Sequence, residues 1–469
     1  MIKGVFHDIL GLITEFFQKE ESWWLVALLA FAGVGSTFAL FDVSLTPILL
    51  EVLWFLIVTW WLWAFFLLLP LAAGAWKHWR QELFKHSLEF VLLELHMPRE
   101  VIKSPQAMEQ VLQAFQSVRG APDNLVEEFW DGQFVVPMSL ELVSFGGEVH
   151  FYIRCQKKQQ HMVKIALFSY YTDVEVRETE DYLDRFPTSD ADMIARGWDF
   201  WGTELIMLRE EMYPIKTYDA FEHEAEGEQF DPISVLLEVF GSLGGEEVAA
   251  VQLLVAPADP EWSKRWEPFL ANLRRPATIV VADGDDDKRQ AAVARSPRQL
   301  KVLEAVEENL SKPAFDTLIR CCYAAPVSLF NYKMARSGII GAFNQYTASD
   351  LNGFKPNSGA GVKADPWKWP HVRAERRTSY RRQRFLWNFR QREVPPATWC
   401  GKLVTSSPLN LNFASKRFLL TTKCVATLFH PPTAGVLTAP HIKRVESKKA
   451  GPPAGLAIFG GEGEIERYV

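Results

Sequence analysis

The stretch SLELVSFGGEVHFYIRC, residues 139–155, decides the fold of the central part of the chain. Two apolar runs rich in β-branched and aromatic residues flank the pair Gly146-Gly147. A diglycine between two such runs is typical of a tight β-hairpin. The sequence therefore predicts two antiparallel strands joined at this pair.

Further elements are predicted on both sides of the hairpin. Upstream, LEFVLLELHM (residues 88–97) indicates a strand, and Ser104-Pro105 is typical of a helix start. Downstream, residues 159–170 indicate a helix and residues 173–177 a short strand. The order β-α-β-β-α-β is that of a ferredoxin-like domain, so we expect α+β structure of this type over residues 88–185.

The first strand also predicts one face of the core. Residues two apart on a strand point to the same side, so Leu93 and Leu95 share a face. We expect both to be buried against Leu112 and Phe115 of the following helix, with Glu94 on the wetter face.

A second α+β domain, again with ferredoxin-like alternation, is predicted for residues 198–350. The expected strands are 204–208, 215–218, 248–255 and 317–324, and the expected helices are 231–243, 296–310 and 329–346.

The N-terminal region is uncharged over Ser22 to Phe41 and over Val52 to Trp76. About 20 apolar residues cross a bilayer as a helix, so residues 22–80 are predicted to form two transmembrane helices. Lysine and arginine flank this pair but are missing between the spans, which predicts a membrane protein with both termini on the cytoplasmic side. Residues 1–21 form an amphipathic pattern that favours an interfacial helix on membrane lipids, or one packed on the cytoplasmic domain.

Residues 356–393 combine a Gly/Pro loop with an arginine-rich segment. Its arginines are the candidate site: Arg373, Arg376, Arg377, Arg381, Arg382, Arg384, Arg390 and Arg392. With aromatic residues between them, they could bind nucleic acid phosphates, anionic lipid headgroups, or an acidic protein partner, or form a plain charged surface. Residues 394–445 are expected to add a C-terminal α+β element, and residues 446–469 a flexible tail.

The rest of the sequence has no strong catalytic, metal-binding or nucleotide-binding motif. The net charge of -7 excludes a globally basic nucleic-acid binder, and the five cysteines form no C-x-x-C pair. Cys321-Cys322 is expected in the core, and His96 and His430 are expected to be structural. NSGAGVKAD (residues 357–365) lacks the G-K-[ST] of a phosphate loop and has no predicted strand before it. His223 lies among glutamates, a pattern typical of a solvated acidic loop. We therefore expect no catalytic residue, metal or cofactor, and no enzyme.

Four stretches carry a family resemblance. They are LLELHMPREVIKSPQAMEQVLQAF, DPISVLLEVFGSL with VAAVQLLVAPA, LEAVEENLSKPAFDTLIRCCYAA with GIIGAFNQYTASDLNGFKP, and VATLFHPPTAGVLTAPHIKRVESKKAGPPAGL. Together they resemble a bacterial family of two-span membrane proteins that is similar to the membrane-proximal regions of HerA/FtsK-like ATPases of conjugation and type IV secretion systems. In the fused ATPases the ATLFH-P element precedes the nucleotide-binding domain. Here the chain ends after it, so the expected ATPase is a separate chain.

The resemblance implies a non-enzymatic inner-membrane scaffold of a type IV secretion-like or conjugation-type translocation assembly, which docks a separate HerA/FtsK-like motor ATPase. The alternative is a membrane-tethered nucleic-acid-binding protein that uses the arginine-rich segment on DNA. A hydrolase with a dispersed site is a third reading. Self-association into a homo-oligomer is compatible with each.

Overall fold

The computed structural model describes residues 45–98, 103–222, 231–275, 277–283, 287–293, 295–364, 367, 373–395, 414–432 and 444–445. The chain divides into two compact units, Met1–Ala73 and Gly74–Val469.

Two helices, α1 (Leu45–Val58) and α2 (Trp60–His86), begin the described chain. The expected second span, residues 52–76, falls on both of them. Helix α2 runs on through a charged end to His86. Within the described residues, no helix combines the length and apolar character that crossing a membrane requires. The expected span at residues 22–41 and the interfacial helix at residues 1–21 lie outside the described residues.

The second unit alternates helices and strands. Its helices after α2 are α3 (Pro105–Phe115), α4 (Gln160–Tyr170), α5 (Asp190–Ala195), α6 (Tyr218–Glu222), α7 (Ser234–Gly241), α8 (Glu267–Arg274), α9 (Pro297–Ser311), α10 (Ile340–Asn344), α11 (Ala374–Gln391) and α12 (Thr422–Leu428). Its strands are β1 (Phe90–Pro98), β2 (Met138–Phe145), β3 (Glu148–Gln156), β4 (Glu175–Thr179), β5 (Trp198–Met207), β6 (Val248–Pro257), β7 (Ala277–Asp283), β8 (Asp287–Val293), β9 (Ala314–Pro326), β10 (Phe354–Pro356), β11 (Phe418–Thr421) and β12 (Arg444–Val445).

Ten of these strands form one sheet, in the order β10-β5-β9-β6-β2-β3-β1, with β4 and β12 paired to β1 and β11 paired to β9. All pairs are antiparallel except β1 with β12. Strands β7 and β8 form a separate hairpin. The molecule is therefore α+β with an antiparallel sheet, as the sequence predicts at that level.

Each half of the sheet has the same connectivity. The first four strands pair in the order β4-β1-β3-β2, and the second set pairs as β10-β5-β9-β6, which in both cases is a split βαβ unit. The predicted hairpin is present, with Gly146 and Gly147 at positive φ in the turn between β2 and β3. Positive φ at both central residues matches the right-handed twist of the two strands.

The two halves, which correspond to the modules expected at residues 88–185 and 198–350, share one continuous sheet. Strand β2 pairs with β6 from Met138↔Val255 to Phe145↔Val248. Each of these strands would be the open edge of its own half, and an apolar edge with unpaired backbone groups favours pairing. The pairing removes both edges at once.

One face of the sheet is covered by helices α3, α4, α7 and α12. Leu93 and Leu95 are buried there in one cluster with Leu112 and Phe115, which confirms the prediction for that face. Cys321 lies in the same cluster and Cys322 in the core of the opposite face, so both are core residues as predicted.

The opposite face was expected to be the wetter one, and Glu94 is indeed half-buried where Leu93 is fully buried, but much of this face is covered as well. Leu92, Val143 and Phe200 pack there in a second core with Phe385 and Phe389 of α11. The apolar side of the arginine-rich helix covers the face and excludes water from it.

Two local predictions also fail. Residues 215–218 form no strand: helix α6 begins at Tyr218, while Ile215 is buried in the first core. A short strand, β10, does precede the NSGAGVKAD loop, although none was expected.

Candidate functional site

A row of polar residues runs from strand to strand across the face of the sheet that the arginine-rich helix α11 covers. Successive pairs in the strand registers are Glu94↔Tyr152, Tyr152↔Glu141, Glu141↔Gln252, Gln252↔Arg320 and Arg320↔Glu204. We call these six residues the polar row. Glu141, Gln252 and Arg320 are 0% exposed. Charges buried to this degree need partners, because desolvation costs several kcal/mol per ion.

Arg392, just after the arginine helix (α11), is the partner of Glu141. Its Nε and Nη2 donate to the two carboxylate oxygens of Glu141 at 2.8 and 3.1 Å, and its Nη1 and Nη2 donate to Asp181 at 2.6 and 3.1 Å. Burial by itself would raise the pKa of Glu141, but the charge and hydrogen bonds of Arg392 outweigh it and hold that pKa below its usual range. Arg392 has φ of 50°, a left-handed conformation that a non-glycine residue keeps only when its surroundings fix it.

Arg320 and Glu204 form the second buried ion pair, with Nε 3.1 Å from Oε1. Arg320 also donates to the carbonyl oxygens of Asn388 at 3.1 Å and Glu393 at 2.5 Å, which ties strand β9 to the arginine helix. Burial lowers the pKa of Arg320 while Glu204 opposes this change. The second oxygen of Glu204, Oε2, accepts no hydrogen bond from the described residues.

Most arginines of the candidate site are bound within the protein. Besides Arg392, four donate to acceptors outside their helix: Arg381 to the carbonyls of Gly361 and Lys363, Arg382 to Asp190 and Asp199, Arg384 to the carbonyl of Ala360, and Arg390 to the carbonyls of Leu183 and Phe186. Arg373 and Arg376 are exposed and Arg377 is half-buried. The eight do not form one open basic surface. They hold the helix on the sheet and bind carbonyls of the NSGAGVKAD loop.

A cavity of about 1080 Å³ lies beside the arginine helix. Its walls include Trp387 and Asn388 of that helix, Phe134, and Arg154 of β3. The rim includes Lys85, which is hydrogen-bonded to Glu393. The cavity therefore combines aromatic and charged groups.

Arg154 is the distinctive charge of this cavity. Its guanidinium stacks over the ring of Phe90 at 3.8 Å and forms no ion pair with any residue that the structure describes. Burial and the neighbouring Arg392 lower its pKa to about 10, so it stays cationic at neutral pH. A cation at a cavity wall that forms no direct ion pair with the described residues is available to an acidic ligand group.

His96 and His430 are both buried and lie against acids of the fold, as expected for structural histidines. His430 is fully buried, with Nδ1 2.8 Å from the carbonyl of Ala426 and Nε2 2.8 Å from Asp231. Glu94 lies between His96 and His150, at 3.3 and 2.7 Å. No group of three or more His, Cys, Asp or Glu among the described residues could hold a metal ion. His223 is outside the described residues.

Glu141, Glu204 and Arg320 of the polar row were missed by sequence reasoning, although a signal was present. Glu141 in SLELVSF, Glu204 in WGTELIM and Arg320 in TLIRCC each interrupt an apolar strand run. A charge inside such a run indicates either an exposed face or a buried partner, and only the structure shows which.

The fold and site define an α+β protein of two joined split βαβ units, whose second face is closed by a helix through buried acid–arginine pairs. The sequence profile of a family described as Domain of unknown function (DUF8128) matches residues 100–443, and the chain belongs to this family. No curated protein matches the chain.

Proposed function

We propose that the protein is a non-enzymatic scaffold of the bacterial inner membrane. It would dock a separate HerA/FtsK-like motor ATPase of a conjugation-type or type IV secretion-like translocation assembly. The two transmembrane helices at residues 22–80 anchor it, and the two halves of the sheet serve as cytoplasmic ferredoxin-like modules.

The observation that carries the proposal is the apolar surface of α1 and α2. Trp54 and Trp60 are 67% and 66% exposed, and their neighbours Phe55, Ile57 and Trp61 are also exposed. Soluble monomers rarely leave contiguous apolar patches of this kind to water, so the surface indicates a lipid or protein environment. The uncharged run from Val52 to Trp76 supports the lipid.

The cavity beside the arginine helix supports a docking role. Trp387 is exposed, and Arg154 forms no ion pair with the described residues. Tryptophan and arginine are both enriched among the residues that anchor protein interfaces. Its volume of about 1080 Å³ leaves room for several side chains of a partner segment. An acidic and apolar segment of the motor would match both walls.

The alternative, binding of DNA by the arginine-rich segment, has less support. Five of its eight arginines donate to protein acceptors away from their helix, and only Arg373 and Arg376 are largely exposed within it. Too few free cations remain for the phosphate contacts that give such binding its strength.

The test uses the full-length protein in vesicles together with a candidate HerA/FtsK-like ATPase. We expect the protein to float with the vesicles, to show no ATP binding by calorimetry, and to change the ATPase rate of the partner. Trp387→Ala should weaken the complex at least tenfold, whereas Trp367→Ala, an exposed tryptophan that does not line the cavity, should not. Micromolar ATP binding, or equal effects of the two variants, would contradict the proposal.

A further inference from the structure

A short segment, Asp123–Gly132, presents apolar side chains outward while its backbone is well fixed. Leu125 is 71% exposed, and Val126 and Trp130 are each 63% exposed. The side chain of Asn124 accepts hydrogen bonds from the backbone N–H groups of Val126 and Glu127 at 3.0 and 2.9 Å. The exposed tip is therefore part of a defined turn.

The segment is held against the last turns of α2. Trp76 Nε1 donates to the carbonyl of Phe129 at 2.8 Å, and its ring lies 5.7 Å from that of Trp130. Lys77 forms an ion pair with Glu128, and Arg80 donates to the carbonyl of Trp130. A Cβ at Gly132 would collide with the carbonyl oxygen of Arg80, so the chain approaches the helix as closely as glycine allows.

These contacts engage two of the acidic side chains of the segment and leave its apolar side chains facing outward. Glu128 is turned to Lys77, and Glu127 accepts hydrogen bonds from Asn124 and from the backbone of Asp123. Glu127 and Glu128 are thus partnered within the segment and helix, and Asp123 and Asp131 are exposed at its two ends. Between these ends the outward side chains are Leu125, Val126 and Trp130.

The neighbours of this tip have the chemistry of a membrane interface. Trp76 and Trp79 are exposed on α2 beside Lys77 and Arg80. Tryptophan is enriched at the level of lipid headgroups, and lysine and arginine reach phosphates from just outside it. The apolar tip continues the aromatic surface of the helix, which favours lipid over a protein partner.

We propose that residues 125–130 are a further membrane contact: Leu125, Val126 and Trp130 enter the interfacial region of the bilayer beside the end of α2. This inference rests on the proposed membrane anchoring. It adds a second point of attachment, which would fix the orientation of the cytoplasmic sheet on the membrane.

The experiment places an environment-sensitive nitrobenzoxadiazole label at Leu125→Cys in full-length protein that carries Cys400→Ser, since the four described cysteines are buried. The protein is reconstituted in vesicles of phosphatidylcholine and phosphatidylglycerol. A matched control carries the label at Ile194→Cys, an apolar position that is 68% exposed on α5. We expect blue-shifted emission at Leu125→Cys that brominated lipids quench at least twofold, and water-like, unquenched emission at Ile194→Cys.

Each outcome decides the matter. Water-like emission at Leu125→Cys in protein that floats with the vesicles overturns the inference and leaves the anchor standing. A blue shift that brominated lipids do not quench assigns the tip to a protein contact and also overturns it. Protein that fails to float overturns both the inference and the membrane anchoring.

Discussion

The two faces of the sheet are both covered but are closed by different means. On one face, Leu93, Ile153 and Val251 meet apolar helices in a single cluster. On the other, Glu141, Gln252 and Arg320 are just as buried and meet a helix that carries arginines. An apolar face accepts most residues of suitable volume, whereas a buried charge requires one partner in one place. The charged face therefore specifies which helix covers it.

The largest effect is expected from breaking the buried pair on the charged face. Arg392→Ala leaves Glu141 without its bidentate partner, and removal of one member of a buried pair costs about 3–5 kcal/mol. Urea denaturation followed by tryptophan fluorescence measures this loss in free energy of unfolding. Arg376→Ala is the control, because that arginine is exposed and its change should stay within about 0.5 kcal/mol.

A double variant sharpens this first prediction. Replacing both charges, as in Glu141→Leu with Arg392→Met, should restore most of the lost stability, since well-packed apolar residues often substitute for a buried ion pair. If Arg392→Ala and Arg376→Ala were equally mild, the arginine helix would not be held by its charges.

On the apolar face the corresponding change is Leu93→Ala. Truncating a fully buried leucine costs about 3 kcal/mol through lost transfer energy and the cavity left behind. Leu300→Ala on α9, at a half-exposed position, is the control and should change the free energy of unfolding by less than about 1 kcal/mol. The same urea titration measures both. A loss at Leu93 no larger than at Leu300 would mean that this face is loosely packed.

The contrast between the faces explains what the sequence could predict. The β2–β3 hairpin, helix α3 and the apolar face follow from local signals: a diglycine, an N-terminal proline and residues at period two. The joining of β2 to β6 has no local signal, because any apolar edge strand could pair with another. The arginines were found as a cluster, but Arg392 meets Glu141 across 251 residues of sequence, so their burial could not be read from spacing.

A smaller effect is expected on the pH dependence of the free energy of unfolding, to which the charged face contributes through Glu141. The pKa of Glu141 is held below its usual range by Arg392, against the opposing effect of burial. A carboxylate with a depressed folded-state pKa contributes stability above its unfolded pKa of about 4.3, and this contribution is lost as the pH falls through the folded value. Glu141→Gln should therefore be less stable than the native protein at neutral pH, and the difference should narrow on acidification below pH 4.

Unfolding free energies from pH 7 down to pH 3 measure this dependence. Glu304→Gln, at an exposed position on α9, is the matched control and should follow the native curve throughout. A constant gap between Glu141→Gln and the native protein at every pH would show that the loss comes from packing and not from the charge of Glu141.

The smallest expected effect is on cysteine labelling, which measures how far water and reagents reach the two faces of the native sheet. Cys155 lies on the apolar face and Cys322 on the charged face, and both are buried. Burial raises the pKa of the Cys155 thiol to about 11 and that of Cys322 well above its usual value. Because the thiolate is the reactive form, neither should be alkylated by a maleimide in native Cys400→Ser protein at pH 7, and both should react in urea. Mass spectrometry of the two peptides measures the rates. Faster labelling of Cys322 would show that water enters the charged face. The proposed membrane topology is tested by comparing Ser44→Cys with Leu300→Cys: only the first should be labelled from outside the cell.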